Sequence, residues 1–313
     1  MGTRSGRKAS GTPRAVYYAL ASNIVVAACK YGVALFTNSG AALAEAVHSS
    51  ADSLNQIVLL VGYRSARAKP DEQHPFGFGR ETYVYSMLVA MQLFVLGGVA
   101  SAALGTYRVV HGSSLDHPWL AIAVMCVSGV VEGMALRASI RSIEPRHRAR
   151  GLLHWFRESG RPAVMLAVSE DLAALAGVIV SLIAVGLSMF TDDPVYDSLG
   201  SIGVGIVLMA TALFSMREIK SLLVGESAHR QTREAMRQWL EARPELRRIV
   251  SLIVLKWSDD LVVAVQAELG PHESADELVR TIDRLENELR AQFPAARWIF
   301  FEPELREHGR DPL

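Results

Sequence analysis

Cysteine is nearly missing from this chain: 313 residues contain two, Cys29 and Cys126, each inside an apolar run. That excludes a disulfide framework and a thiolate zinc site as organising principles. An excess of either charge is missing too. With 32 basic residues against 32 acidic ones, no case for nucleic acid as a partner follows. The chain has no H-E-x-x-H motif, and no Ser/His or Cys/His pairing falls at matching depth in its apolar runs, so it is not expected to be an enzyme. Its nine histidines form no tract. After the basic start, with Arg4, Arg7, Lys8 and Arg14, there is no short apolar stretch with a cleavage site. Residues 1–14 are therefore expected to be a retained cytoplasmic tail.

Apolar sequence is what the chain has in excess. Half of its residues are apolar and the mean hydropathy is +0.21. Crossing a bilayer takes roughly 20 mostly apolar residues. Six segments reach that length, 15–36, 40–64, 82–107, 117–140, 162–190 and 196–216. Basic residues are placed unevenly between them. The connection between spans two and three holds Arg64, Arg67, Lys69 and Arg80. That between spans four and five holds Arg137, Arg141, Arg146, Arg148, Arg150, Arg157 and Arg161, which also suits anionic lipid head groups. On the other side stands Arg108 alone, and Thr191–Asp197 has three acids. The positive-inside rule places both termini in the cytoplasm. The lack of a targeting peptide, with frequent Arg and Ala, points to a bacterial inner (plasma) membrane. Small residues such as Gly177, Gly200, Gly203 and Gly205 suit close helix packing. The charges are isolated rather than set in polar rings or a filter, which argues against a channel.

Those isolated charges concentrate on a few spans. Span two contains Glu45, His48 and Asp52 at i, i+3 and i+7, on one helical face. Ionisable groups at membrane depth cost about 2.5–3.5 kcal/mol each, which restricts them to a cavity or a partner. An imidazole and a carboxylate four residues apart can ligate one divalent metal. A polar face bonded to neighbouring helices explains the same spacing. Span five adds Glu170 and Asp171, span four Glu132, and span one Lys30, which can snorkel to an end. Spans three and six carry no charge inside and are expected to be scaffold.

Beyond Gly225 the pattern becomes that of a soluble domain. Residues 229–246 fit a helix with Met236, Trp239 and Leu240 on one side. Residues 249–257 and 261–269 fit a hairpin around Ser258, Asp259 and Asp260. Ser274 and Glu277 form a capping box for a helix striped with Leu278, Ile282, Leu285 and Leu289. Residues 297–301 fit a last strand. The expected fold class is an α-helical membrane protein: a tail (1–14), a six-helix transmembrane domain (15–225), and a cytoplasmic αββαβ, ferredoxin-like α+β domain (226–313). A domain so small gains from pairing with a second copy, and a homodimer is expected.

Three pieces together resemble one family: His48-Ser-Ser-Ala-Asp52, His74-Pro-Phe-Gly-Phe-Gly-Arg-Glu81 and Asp171. It is the cation diffusion facilitator family of proton-coupled zinc and manganese exporters, and the chain looks closest to a divergent branch that includes a mitochondrial zinc transporter. The resemblance runs over roughly 15–305. It implies a tetrahedral site with two ligands from span two, His48 and Asp52, and two from span five, one of them Asp171. The other would fall at Ala167, which has no ligating atom, so Glu170 is taken as ligand or support. Glu45, Glu132, Asn55 or a water are further candidates. The resemblance also implies exchange of a divalent cation for protons by alternating access, with no prosthetic group. Zinc comes before manganese, iron or cobalt, because the manganese branch resembles Asp-x-x-x-Asp where His48 stands. In that family the C-terminal domain often binds more zinc. Here Glu268 and Glu302 stand at the comparable strand ends without supporting histidines, so no metal is expected there. A metal-binding membrane receptor or scaffold without translocation is the alternative.

Overall fold

The structure, a computed structural model, describes residues 13–112, 114–143 and 162–304. The basic tail before Pro13 and the arginine-rich stretch from Arg146 to Arg161 lie outside the described residues, with the expectations placed on them. The apolar runs fold as long helices: α1 (Pro13–Thr37), α2 (Gly40–Ser65), α3 (Glu81–Gln92), α4 (Ala100–His111), α5 (Pro118–Ser142), α6 (Pro162–Thr191) and α7 (Val195–Val224). A π-helical stretch, Leu93–Val99, joins α3 to α4 without a break. Breaks fall where the backbone turns left-handed, at Asn38, Gly112, His117 and Asp192, and Pro118 opens α5 at a position that needs no N–H donor.

Among the described residues, four stretches are long and apolar enough to cross a membrane: Glu81–His111, Pro118–Arg141, Val164–Thr191 and Val195–Val224. In α1 the apolar part is the shorter Asn23–Thr37. The 26-residue α2 falls outside that set; Glu45, His48, Ser49, Ser50 and Asp52 make its first half polar.

The described chain packs as two compact units. One takes in residues 13–64, 85–143 and 163–217; the other takes in 65–84 and 218–304. Two apolar clusters hold the first unit. Ala34, Ala41, Ala42, Ala121, Met125, Val178 and Val185 join α1, α2, α5 and α6. Ala44, Leu93, Ala173, Val204 and Leu208 join α2, the π-helical stretch, α6 and α7. Helices α2 and α6 enter both clusters and so form the centre of this unit. Helices α4 and α7 meet backbone to backbone. A Cβ on Gly105 would lie 2.7 Å from the Ser198 carbonyl oxygen, and one on Gly205 would lie 2.7 Å from the Ala102 nitrogen. Large apolar side chains point outward, with Phe190 93% exposed. That is the surface a lipid environment tolerates and water does not.

The second unit is built on a mixed three-stranded sheet: β1 (Leu246–Trp257), β2 (Asp260–Leu269) and β3 (Ala296–Pro303), in the order β1-β2-β3. β1 and β2 are antiparallel, with Trp257 opposite Asp260 across a tight turn where Ser258 takes a left-handed φ of 58°. β2 and β3 are parallel, which requires a crossover, and α9 (Ala275–Gln292) provides it. As the alternation implied, Val263, Val265 and Ala267 are buried, against Met236 and Leu240 of α8 (Arg230–Glu241) and Leu285 and Leu289 of α9. The capping box forms, with Ser274 Oγ accepting from the Glu277 N–H at 3.2 Å. The largest boundary difference from expectation in this unit is at α8. α8 ends at Glu241 rather than Leu246, since Pro244 cannot continue a helix, and Leu246 opens β1.

Candidate metal centre

The face of α2 that carries Glu45, His48 and Asp52 is turned inward. His48 is 1% exposed and its Nε2 lies 3.6 Å from Asp52 Oδ2. Among the described residues neither ring nitrogen of His48 has a hydrogen-bond partner, and Asp52 Oδ1 has none either. A buried imidazole without partners is costly. Across from it, α6 presents Glu170 and Asp171, and Asp52 feels the charges of both Asp171 and Glu132. Each of the α6 acids has a partner on another helix. Glu170 Oε1 accepts from Asn55 Nδ2 at 2.7 Å, and Asn55 Oδ1 accepts from Gln92 Nε2 at 3.1 Å, just before the π-helical stretch. Asp171 Oδ2 accepts from the Ser139 hydroxyl on α5. Among the described residues no three His, Cys, Asp or Glu side chains converge as a set that could hold a metal ion. Glu170 and Asp171 are held by neighbouring helices, whereas His48 and Asp52 Oδ1 find no hydrogen-bond partner among the described residues. Ala167 sits one turn before Asp171 with no ligating atom.

Glu45 and Glu132 go elsewhere. Both lie 3.6 Å from Lys30 Nζ, which donates to Ser49 Oγ at 2.8 Å. Asp197 was expected in an acidic turn but is fully buried at the head of α2. Its carboxylate accepts from the N–H groups of Gly40 and Ala41 and from Ser39 Oγ, and lies 3.9 Å from Arg108 Nη2. A carboxylate at a helix N-terminus satisfies donors that have no partner within the helix.

The His74–Glu81 segment packs within the second unit. Gly77 takes a φ of 74° and its N–H bonds to the His74 carbonyl, closing a tight turn. Phe76 enters a cluster of Trp257, Trp298 and Phe300, with ring centroids 5.2, 5.4 and 6.3 Å away. The Arg80 guanidinium lies 4.0 Å over Trp257, and the Ser258 N–H donates to Tyr83 Oη at 2.7 Å. Asp71 and His74 pair at 3.1 Å. Desolvation pushes the Asp71 carboxyl up, but the His74 N–H and imidazole, with the Gln73 N–H, together hold it below its ordinary value. In the sheet, Glu268 bonds Arg248 and Glu302 bonds Gln266.

Residues 16–224 match the family model described as the cation efflux transmembrane domain. The chain belongs to the cation efflux family. Its resemblance to that family, and to the mitochondrial zinc transporter branch, is borne out by its relatives. The proton-coupled zinc antiporter SLC30A9, mitochondrial, of Xenopus laevis is 31% identical over 236 residues, covering 72% of this chain and 42% of that protein. Metal tolerance protein C4 of Arabidopsis thaliana is 32% identical over 216 residues, 68% of this chain and 47% of that protein. Magnetosome protein MamB of Magnetospira sp. (strain QH-2) is 25% identical over 193 residues, 62% of this chain and 61% of that protein. This cation efflux chain spans less than half the length of the first two. The antiporter relative is a transporter, in keeping with the expectation that the chain is not an enzyme. A multi-pass membrane protein agrees with the family and the apolar helices. The expected bacterial plasma membrane finds no support in a relative named as mitochondrial.

Proposed function

We propose that the chain is a proton-coupled divalent cation exporter with zinc as its first substrate, and that His48, Asp52, Glu170 and Asp171 are the residues that carry the ion. One observation carries this reading: a buried imidazole and carboxylate one turn apart, short of hydrogen-bond partners, adjacent to the acids of α6. An imidazole with carboxylates suits zinc and, less selectively, manganese, iron or cobalt. Asn55 and Ser139 hold the α6 acids in place. Movement of α2 against α6 would bring the two pairs into one coordination sphere, as alternating access between helix repeats requires. Ligands must shed protons to bind metal, which links the ion to the proton gradient. Six spans, a C-terminal domain in the cytoplasm and pairing of two copies complete the reading. It is supported by the lengths of α1 and α2, about 38 Å each at 1.5 Å per residue, and by the basic residues between spans two and three.

The test is zinc uptake into inside-out proteoliposomes with and without an imposed proton gradient, for the wild type and Asp52→Ala. Gradient-driven uptake that is lost in the variant supports an exporter. The same pattern with manganese or iron changes the ion and keeps the mechanism. Binding without flux of any divalent ion makes the chain a receptor or scaffold and overturns the proposal.

A further inference from the structure

The Lys30–Glu45–Glu132 cluster is not used by the metal site, and its charges do not balance. Lys30 is 4% exposed, and the Glu45 and Glu132 side chains are 3% and 17% exposed. One ammonium stands 3.6 Å from each of two carboxylates. With all three ionised, the group carries one uncompensated negative charge inside the apolar part of the protein, a costly arrangement. Among the described residues neither oxygen of Glu45 accepts a hydrogen bond. A Cβ on Gly177 of α6 would lie only 2.7 Å from Glu45 Oε1, so that oxygen presses on bare backbone. Lys30 and Glu45 also line a small recess of ≈ 10 Å³ whose other walls include Ala42, Ala121 and Met125. A buried, unbonded carboxylate on such a recess lacks one unit of positive charge and one hydrogen-bond donor. A proton provides both.

We propose that Lys30, Glu45 and Glu132 form a second site, separate from the metal ligands, that takes up one proton. The ammonium balances one carboxylate and the proton the other. Charges on neighbouring elements bear on it: His48 and Asp52 on α2, and Asp171 on α6. Glu45 lies one helical turn before His48 on the same face of the same rigid helix, so any displacement of α2 that moves the metal pair also moves Glu45 against Lys30. The coupled proton of the proposed exporter would thereby have a place to reside besides the metal ligands. This role rests on the transport reading, whereas the existence of the site does not.

Two measurements separate the two. In purified protein, infrared difference spectra should show the carbonyl stretch of a protonated carboxylic acid near neutral pH, lost in both Glu45→Gln and Glu132→Gln. In proteoliposomes, the same variants should bind zinc within about threefold of wild type by calorimetry but exchange one proton fewer per ion. Lys30→Met, which removes the compensating charge, should strengthen the infrared band. An infrared band unchanged in both Gln variants, or zinc binding abolished by either, overturns the proton site. The first outcome leaves a structural ion pair and the second a metal ligand. If replacing sodium by choline alters the wild type but not Glu132→Gln, the ligand is sodium and the proposal fails. A wild type with the band but no metal flux rejects the exporter and keeps the site.

Discussion

Asn55 links an acid of the proposed metal site to a third helix. It is 1% exposed and donates to Glu170 while accepting from Gln92, so it ties an acid of α6 to the end of α3. The amide is uncharged and can give and take one hydrogen bond at once, which neither Asp nor Leu at that position could do. Residues that orient ligands typically contribute 10–100-fold to metal affinity or activity. Asn55→Ala is therefore expected to weaken zinc binding by about 10–100-fold while the protein still folds. Calorimetric titration of the purified variant checks it, and unchanged affinity would remove Glu170 from the site. Ser139 is the equivalent partner of Asp171.

At the scale of elements, α2 is anchored at its head by a side chain from a distant helix. Asp197 receives two backbone N–H groups and the Ser39 hydroxyl, with Arg108 close by. Arg108 also donates to Asn38 and to the Ser114 carbonyl, so the turns before α2 and α5 are tied at the same end. The helix that carries His48 and Asp52 is thus fixed in rotation by contacts two to three turns away from them. Removing one partner of a buried charged group leaves the others unsatisfied, a loss of about 3–5 kcal/mol. Asp197→Ala is expected to lower stability by about 3 kcal/mol, seen as a fall in Tm, and Asp197→Asn by less because it keeps an acceptor. A variant as stable as the wild type would show that α2 needs no such anchor.

At the scale of the whole molecule, the second unit is more than the C-terminal sequence: it includes residues 65–84. The fastening is aromatic and cationic, with Phe76 among Trp257, Trp298 and Phe300, and Arg80 over Trp257. An aromatic pair contributes about 0.5–1.5 kcal/mol and a cation–π contact about 0.5–1 kcal/mol at exposed sites. Together these are worth about a factor of ten in local opening. Trp257→Ala should accordingly speed backbone hydrogen exchange across 71–80 by about tenfold, with α8 and α9 unaffected. Equal exchange in the two proteins would mean the segment is held by its own turn at Gly77 alone.

Periodicity and local chemistry were enough for much of the design. The long apolar runs became helices, Ser274 and Glu277 capped α9, the alternation in β2 buried Val263 and Val265, and His48 and Asp52 shared a face. Each of these depends on residues a few positions apart, which is the range over which sequence alone constrains geometry. Tertiary structure decided the rest. Only packing gave Glu45 and Glu132 to Lys30, buried Asp197 under α2, brought Gln92 of a span expected to be scaffold to Asn55, and placed Phe76 among the tryptophans. Helical spacing states which side chains share a face. It does not state which distant helix that face meets, because the rotation and depth of each helix are set by contacts between residues up to nearly two hundred positions apart.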